Sequence, residues 1–226
     1  MAQIIVTGSE SGLGAALVVA LERDGHELIH FDQKFLAEDD VRNPSASLSA
    51  VDKLDVLINC AGVNRINWLQ DVSDEEWDLV MDTNVKGIFK MTQYCLPALK
   101  KAGGTVVNIV SNAAHMPMRC SAAYNASKGA ALILTKQLAR ELTSQGVTVF
   151  SVSPNKLHGT GMSVDIDEQV MKTRGWSREE AQAYQLQGLL TGEETPPHLV
   201  AEFIAFLLSS KDRHRFLSGC DIPYGA

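Results

Sequence analysis

A tyrosine and a lysine four residues apart form the first group in this sequence that could do chemistry. Tyr124 and Lys128 fall at positions i and i+4 of a helix-like segment, so their side chains share one face. A free tyrosine titrates at about 10, and a nearby positive charge favours the phenolate, so Lys128 together with an oxidised nicotinamide is predicted to lower the pKa of Tyr124. Ser111, at the end of a strand-like run, could hold a substrate oxygen while Tyr124 exchanges its proton. The spacing predicts acid–base chemistry, although such a pair is also common as a half-buried ring beside a solvated charge.

A glycine-rich turn near the start of the chain predicts a nucleotide site. The apolar run at 4–6 leads into T-G-x-x-x-G-x-G at 7–14 and then into a helix-like segment. Glycine permits a sharp turn and lets bare amides approach a diphosphate at the start of the helix, where the helix dipole favours an anion. A plain strand-to-helix connection is the alternative. The residues predicted to contact the cofactor here are Gly8, Ser11, Gly12, Leu13 and Gly14.

An acid at the end of the second predicted strand indicates which cofactor binds. Asp32 lies 18 residues after Gly14, where a carboxylate in a dinucleotide fold accepts hydrogen bonds from the adenosine ribose. Its charge would repel a 2′-phosphate, so NAD is predicted and NADP is less favoured, although Lys34 could still reach such a phosphate. The small residues within 59–62 would let the cofactor lie across the carboxyl edge of the sheet.

The elements that must position these residues alternate between strand-like and helix-like segments. Strands are predicted at 3–7, 27–32, 56–61, 105–111, 147–153 and 220–223. Helices are predicted near 12–24, 45–52, 74–99, 122–144, 177–187 and 196–209. This alternation predicts the α/β class, with a doubly wound (Rossmann) parallel sheet of six to seven strands and helices on both faces. The stretch 32–40 is too short for a helical crossover, so 39–41 is at most a short edge segment.

Length and composition favour one domain spanning residues 1–226 and argue against several function classes. The 226 residues, 45% of them hydrophobic, can bury a sizeable core. A net charge of −7 and the lack of basic runs argue against nucleic acid as a partner. The four cysteines lack metal-ligand spacing, so we expect free thiols, no metal and a cytoplasmic location. We expect neither an export signal nor a membrane span.

Taken together, the motifs resemble the short-chain dehydrogenase/reductase family over almost the whole chain. Besides the glycine turn, the resemblance rests on several short motifs: Asp40-Val41, Asn59-x-Ala61-Gly62, Asn84 within D-T-N-V, and Ser111 thirteen residues before Y-N-A-S-K at 124–128. It implies a doubly wound fold that binds NAD or NADP. It also implies hydride transfer between the nicotinamide and a carbonyl or alcohol carbon.

The resemblance implies roles for individual residues. Asp40 and Val41 would contact the adenine, and the motif Asn59, Ala61, Gly62 would lie along the cofactor. Lys128 and Tyr124 would also touch the nicotinamide ribose, and the Tyr124 proton would be relayed through that ribose, Lys128 and a water anchored at Asn84. The helices at 74–99 and 122–144 would form the contacts of a homotetramer or dimer, unless their apolar faces are used within the subunit.

One loop departs from the family pattern. Members usually carry Pro-Gly and a nearby threonine after the sixth strand, whereas residues 154–160 here read P-N-K-L-H-G-T. Asn155 therefore stands where glycine is usual. By resemblance, Pro154, Leu157 and Thr160 are expected to contact the cofactor, with Leu157 at the nicotinamide amide and Thr160 at the phosphate.

The segment at about 158–197 is predicted to cover the catalytic cleft. Its apolar side chains could form a mobile lid or simply pack a helix onto the body; they are Met162, Met171, Trp176, Tyr184, Leu189 and Leu190. Arg65 and Arg119 could anchor an anionic group, and His115 and His158 could donate to a polar one. Exposed loop residues of these types are nevertheless common.

These residues predict an NAD-preferring oxidoreductase that acts on a secondary alcohol or ketone. Its catalytic residues would be Asn84, Ser111, Tyr124 and Lys128. A nucleotide-sensing or scaffolding protein with weak or no turnover is the alternative, supported by the altered loop after Pro154. A lyase or dehalogenase on the same scaffold is a third possibility, but such proteins usually lack the dinucleotide glycines, which this chain retains.

Overall fold

A sheet of six parallel strands forms the centre of the molecule, whose computed structural model describes residues 1–44 and 48–225. The strands are β1 (Gln3–Thr7), β2 (Glu27–Phe31), β3 (Val56–Asn59), β4 (Thr105–Ile109), β5 (Thr148–Pro154) and β6 (Asp221–Tyr224). Their spatial order is β2-β1-β3-β4-β5-β6, so the chain winds outward in both directions from the β1–β3 pair. Open α/β sheets leave a crevice at such a reversal. The predicted fold class is confirmed, and residues 39–41 add no strand.

Helices cover both faces of the sheet. They are α1 (Gly12–Arg23), α2 (Asp74–Met81), α3 (Gly87–Ala102), α4 (Ala122–Leu142), α5 (Gly161–Arg174), α6 (Arg178–Gln187), α7 (Pro197–Leu208) and α8 (Lys211–His214). Helices α1 and α7 pack against one side of the strands, and α3 and α4 against the other. The central strands consequently bury apolar residues on both faces, as parallel sheets do. None of the described helices has the length and apolar composition that crossing a bilayer requires.

Several element boundaries differ from the sequence-based prediction. The helix predicted at 74–99 is interrupted by a π-helical segment, Asp82–Lys86, between α2 and α3. Of the helix predicted near 45–52, residues 45–47 lie outside the described part of the chain, and 48–52 form no α-helix. Helix α5 was not predicted. It buries only three of its own residues and so lacks the apolar stripe that would reveal it in the sequence.

The last strand is joined through side chains to the segments that follow β4 and β5. The Asp221 carboxylate accepts hydrogen bonds from Ser151 Oγ at 2.5 Å and Ser153 Oγ at 2.8 Å. It also contacts His115 Nε2 at 2.8 Å. Asn155 Nδ2 donates to the Gly225 carbonyl. Strand β6 and Gly225 therefore hold the end of β5 and the loops that follow β4 and β5.

Candidate active site

A cleft of about 800 Å³ lies at the carboxyl edge of the sheet and extends from the start of α1 to helices α5 and α6. It brings together most of the residues that the sequence predicts for the site: Gly8, Ser11, Gly12, Leu13, Gly14, Asp32, Asp40, Val41, Ala61, Gly62, Ser111, Tyr124, Lys128, Pro154, Leu157 and Thr160. The side chains of Asn59 and Asn84 do not line it. One continuous cavity thus contains the glycine turn and the tyrosine–lysine pair.

The glycine turn has a shape that only glycine allows. Gly8 and Gly12 adopt positive φ angles of 70° and 52°. A Cβ on Gly14 would lie 1.9 Å from the Gly8 carbonyl oxygen, so the loop packs directly on the first turn of α1. Ser11 is the N-cap, but its side chain makes no capping hydrogen bond. The first amides of α1 thus face the cleft, and this cradle fits a diphosphate at a helix N-terminus.

At the end of β2, the side chain of Asp32 is fixed by the backbone. Its carboxylate accepts hydrogen bonds from the amides of Glu10 at 3.0 Å and Lys34 at 2.8 Å. The first of these bonds places the negative charge directly beside the glycine turn. A carboxylate accepts about four hydrogen bonds, so acceptor sites remain for ribose hydroxyls.

The two residues predicted to contact adenine are held in different ways. Asp40 forms a paired interaction with Arg42, with a shortest contact of 2.6 Å, and the Arg42 hydrogen bonds lower the pKa of this carboxyl. Val41 packs against Gly87, where an added Cβ would lie 2.8 Å from its Cγ2. The Asp40 carboxylate is thus occupied by Arg42, while Val41 joins the loop to the start of α3.

Two residues of the motif at the end of β3 line the cleft, and a third is buried in the core. Ala61 and Gly62 line the cleft, and the Ala61 amide donates to Thr7 Oγ1 at 3.0 Å. The Asn59 side chain is instead buried, and its Nδ2 donates to Asn108 Oδ1 at 2.9 Å. The structure does not bring the Asn59 side chain to the cleft, because the alternation of side chains along β3 turns it toward the helix layer.

Asn84 lies in the π-helical segment and connects the loop after β3 to α4. Its Oδ1 accepts from the Val63 amide at 2.9 Å, and its Nδ2 donates to the Val63 carbonyl at 2.9 Å and to Ser127 Oγ at 3.0 Å. The side chain is 1% exposed. It therefore positions the segment beside Gly62 rather than projecting into the cleft.

Tyr124 and Lys128 lie on α4 and face the cleft next to Ser111, which follows β4. The Ser111 side chain lies close enough to the Tyr124 hydroxyl to lower the pKa of that hydroxyl. The Lys128 ammonium donates to the Ile109 carbonyl at 3.0 Å and lies 5.6 Å from the centre of the Tyr124 ring. The side chains of Tyr124 and Lys128 are both buried. Together with Ser111 they form a compact polar cluster in surroundings of low polarity.

Burial dominates the protonation equilibria of this cluster. It raises the pKa of Tyr124, against the opposing effect of the Ser111 side chain. It lowers the pKa of Lys128 to about 8, against an opposing charge interaction with Cys60. In the polypeptide alone the pKa of Tyr124 is therefore shifted upward, opposite to the predicted direction, and the joint effect of Lys128 and a bound oxidised nicotinamide stays a prediction. Desolvation disfavours both the phenolate and the ammonium, and here it is the larger effect.

The loop after β5 accommodates asparagine without strain. Asn155 has no positive φ angle, so this position does not require glycine. Thr160 is the N-cap of α5, where its Oγ1 accepts from the Ser163 amide at 3.1 Å. Leu157 forms a β-bridge with Thr195 and lines the cleft. The altered loop thus keeps Pro154, Leu157 and Thr160 at the cleft.

The far end of the cleft lies under α5 and α6. Of the four loop residues proposed to recognise substrate, only Arg119 lines it; Arg65, His115 and His158 do not. Met162, Tyr184 and Leu189 line the cleft, Met171 and Trp176 join a small apolar cluster under the helices, and Leu190 is exposed. Sequence reasoning missed Lys156 and Arg174, which also line the cleft. No motif marks them, and Arg174 lies on the helix that was not predicted.

Comparison with known proteins identifies the family. A family model described as short chain dehydrogenase matches residues 37–171. An uncharacterized oxidoreductase of Staphylococcus haemolyticus is 34% identical over 174 residues, which cover 66% of this chain and 75% of the relative. The 3-oxoacyl-(acyl-carrier-protein) reductase of Staphylococcus epidermidis is 28% identical, with coverage of 93% and 92%. The solved structure of an actinorhodin polyketide ketoreductase with NADPH has a TM-score of 0.84 and 27% identity, and covers 98% of this chain and 95% of its own.

The chain therefore belongs to the short-chain dehydrogenase/reductase family. It is an NAD(P)-dependent oxidoreductase of the kind that acts on CH–OH and ketone groups.

The buried ammonium of Lys128 leads to a prediction about stability. Its pKa is about 8 in the folded chain, against 10.5 for a free lysine side chain. Below pH 8 both states are protonated, so folding bears the full cost of the buried charge. As the pH rises from 8 to 10.5 that cost disappears, because the unfolded chain then binds more protons. We expect Lys128→Met to raise the free energy of unfolding at pH 7 by about 2 kcal/mol, with a smaller gain at pH 9.5.

Urea denaturation of the wild-type protein and the variant at both pH values measures this effect. Lys136→Met is the matched control, because Lys136 is an exposed lysine on the same helix. We expect the control to change stability by less than about 0.5 kcal/mol. A Lys128→Met protein less stable than wild type at pH 7 would contradict the argument.

Proposed function

We propose that the protein is an NAD-preferring oxidoreductase that transfers hydride between the nicotinamide and a secondary alcohol or ketone. The observation that carries the proposal is the continuity of one cleft, which contains both the glycine cradle and the Ser111, Tyr124 and Lys128 cluster. A protein that only sensed the nucleotide would not need the buried hydroxyl of Tyr124 beside Ser111 and a buried ammonium. The alternative of a sensor or scaffold rests on the altered loop at Asn155. Because that loop accommodates asparagine without strain, the substitution does not argue against turnover.

Each residue of the cluster has a proposed role. A nicotinamide cofactor held in this cleft would supply or accept the hydride. Tyr124 gives its proton to the substrate oxygen when a ketone is reduced and removes it when an alcohol is oxidised. Ser111 holds the same oxygen, and Lys128 holds ribose hydroxyls. In the oxidised complex the phenolate would face the positive charges of both Lys128 and the nicotinamide, which together oppose the effect of burial.

The remaining predicted residues have supporting roles. Gly8, Gly12 and Gly14, with Ser11 and Leu13, would surround the diphosphate, and Ala61 and Gly62 would lie under the cofactor. Asn84, through Val63 and Ser127, would hold the segment through which the Tyr124 proton reaches solvent. Pro154, Leu157 and Thr160 would border the nicotinamide half. We assign Asn59 to the packing of the sheet.

Turnover measurements test the function directly. The absorbance of NADH and NADPH is followed while the purified protein meets a panel of ketones, sugars, sterols and hydroxyacyl compounds. Reduction of at least one class is the expected result. Tight NADH binding without turnover on any class would favour the sensor instead.

The preference for NAD leads to a prediction at Asp32. Its carboxylate, held beside the glycine turn, would lie near a 2′-phosphate. At this end of the cleft Arg42 is paired with Asp40. We expect Asp32→Ala to lower the ratio of kcat/KM for NADH to kcat/KM for NADPH by about 10-fold or more, because specificity is a difference between two binding free energies.

Steady-state kinetics with both cofactors measure this ratio. Glu38→Ala serves as the control, since Glu38 is an exposed acid of the same loop that does not line the cleft. An unchanged ratio in Asp32→Ala would show that another residue selects the cofactor.

We also propose that the protein acts in the cytoplasm as a homo-oligomer, either a dimer or a tetramer. Large apolar side chains are exposed on the outer faces of α3 and α4, at Phe89 and Ile133. A second subunit would cover such side chains.

A further inference from the structure

The charges that line the cleft are distributed unevenly between its two ends. The carboxylates among the described lining residues are Asp32, Asp39 and Asp40, all at the adenine end, where Lys34 and Arg42 also line the cleft. Beyond Ser111 and Tyr124, the charged lining residues are cationic: Arg119, Lys156 and Arg174. The chain as a whole carries a net charge of −7, so this end of the cleft opposes the overall charge. Such a cavity attracts an anion.

The three cations of this end differ in their partners. Lys156 is neutralised, with Asp167 at 2.6 Å and Glu194 at 3.0 Å. Within residues 1–44 and 48–225, neither Arg119 nor Arg174 has a carboxylate within 4.0 Å. Arg119 is exposed, whereas Arg174 is partly buried. Arg174 is therefore the positioned cation of this end that lacks a counter-ion.

The guanidinium of Arg174 is held between two aromatic rings. Its Cζ lies 4.6 Å from the centre of the Trp176 ring and 4.3 Å from that of Tyr184. One Nη2–H donates weakly to the Arg119 carbonyl at 3.4 Å. Its Nε is buried and has no hydrogen-bond partner in the described part of the chain. The rings fix the plane of the guanidinium. Within the described residues Nη1 makes no hydrogen bond and Nη2 makes only this weak one, so these two groups can bind a carboxylate through two parallel hydrogen bonds.

We infer that Arg174 binds a carboxylate of the substrate, away from the carbon that exchanges hydride. The inference rests on the proposed function and names its substrate class, which is hydroxy acids and the corresponding oxo acids. Ile66, Ile166 and Val170 line the same part of the cleft and would contact an apolar spacer between the two groups. The carboxylate is unchanged by the reaction: the carbonyl carbon receives the hydride, and the carbonyl oxygen receives the proton from Tyr124.

A purely structural role for Arg174 makes a different prediction. If its stacking on Trp176 and Tyr184 served only to hold α5 against α6, its loss would affect charged and neutral substrates equally. A carboxylate site instead distinguishes an acid from its methyl ester, which has the same carbon skeleton without the charge.

The experiment compares oxo acids of increasing length with their methyl esters. The probes are 4-oxopentanoate, 5-oxohexanoate and 6-oxoheptanoate, tested as substrates with NADH and as ligands of the enzyme–NADH complex by calorimetry, which needs no turnover. We expect at least one acid to exceed its ester in kcat/KM, or in affinity, by about 10- to 100-fold, as hydrogen bonds to a charged group imply. Arg174→Gln should remove this difference, because it should lower kcat/KM for the acid, mainly through KM, by far more than kcat/KM for the ester.

Two further variants complete the test. Lys172→Gln removes an exposed cation from the same last turn of α5 and should preserve the preference for acid. Arg174→Lys keeps the charge but not the planar fork, and should retain only part of the preference. Equal values for acid and ester at every length in the wild-type protein, or equal losses for both in Arg174→Gln, would overturn the inference. Reduction of neutral ketones alone would refute it and leave the proposed function intact, whereas failure to bind NADH would refute the proposed function.

Discussion

Tyr124→Phe is expected to lower kcat by about 10²- to 10⁴-fold, the contribution of a positioned acid–base group. The variant keeps the buried ring and loses the hydroxyl that lies beside Ser111. The substrate oxygen would then have no group at this position to give or take the proton. The affinity for NADH should stay within about threefold, because the glycine cradle and Asp32 are untouched.

Steady-state kinetics on the best substrate of the panel, with NADH affinity measured by fluorescence, test this prediction. Tyr94→Phe is the matched control, since Tyr94 is exposed on α3 and does not line the cleft. Its kcat should equal that of the wild-type protein. Retained turnover in Tyr124→Phe would show that another group transfers the proton.

Gly14→Ala is expected to lower the free energy of unfolding by about 3 kcal/mol or more, the upper range for overpacking a core. The added Cβ would meet the Gly8 carbonyl oxygen at 1.9 Å and its carbon at 2.7 Å. Both are backbone atoms, so no side-chain rotation relieves the clash. The turn would have to separate from α1, and NADH binding should be lost with it.

Urea denaturation and NADH titration measure the two consequences. Gly129→Ala is the control, because Gly129 also lies inside a helix but an added Cβ there meets nothing within 4 Å. That variant should be as stable as the wild-type protein or more stable by up to about 1 kcal/mol. Normal NADH affinity and stability in Gly14→Ala would contradict the described packing of the turn.

Much of the fold follows from local sequence patterns. Apolar β-branched runs predict the six strands to within two residues at most ends, because strands buried on both faces need such residues. The π-helical segment at 82–86 was not predictable, since the helical period continues through it and only tertiary contacts of Asn84 reveal it. Helix α5 was missed because its side chains are mostly polar and its start depends on the Thr160 cap.

The site shows the same division between local and distant information. Motif spacing predicts that the glycine turn, Ser111, Tyr124 and Lys128 belong to one site, and all of them line the same cleft. In the polypeptide alone the pKa of Tyr124 shifts opposite to the predicted direction, because a helical spacing gives the distance to a charge but not the degree of burial. Arg174 was not predicted as a site residue, because its surroundings also depend on tertiary structure. Its stacking partners come from α6 and from the loop after α5, which the sequence does not place together.

The attachment of β6 bears on the order in which the enzyme matures during translation. The contacts of Asp221 with Ser151, Ser153 and His115 come from β6, and the contact of Gly225 with Asn155 comes from the residue that follows it. A nascent chain emerges from the ribosome with its nucleotide-binding half first. The loops beside the reacting groups gain these anchors only after residues 221–225 have emerged. These loops should consequently reach their final arrangement only when synthesis has passed residue 225.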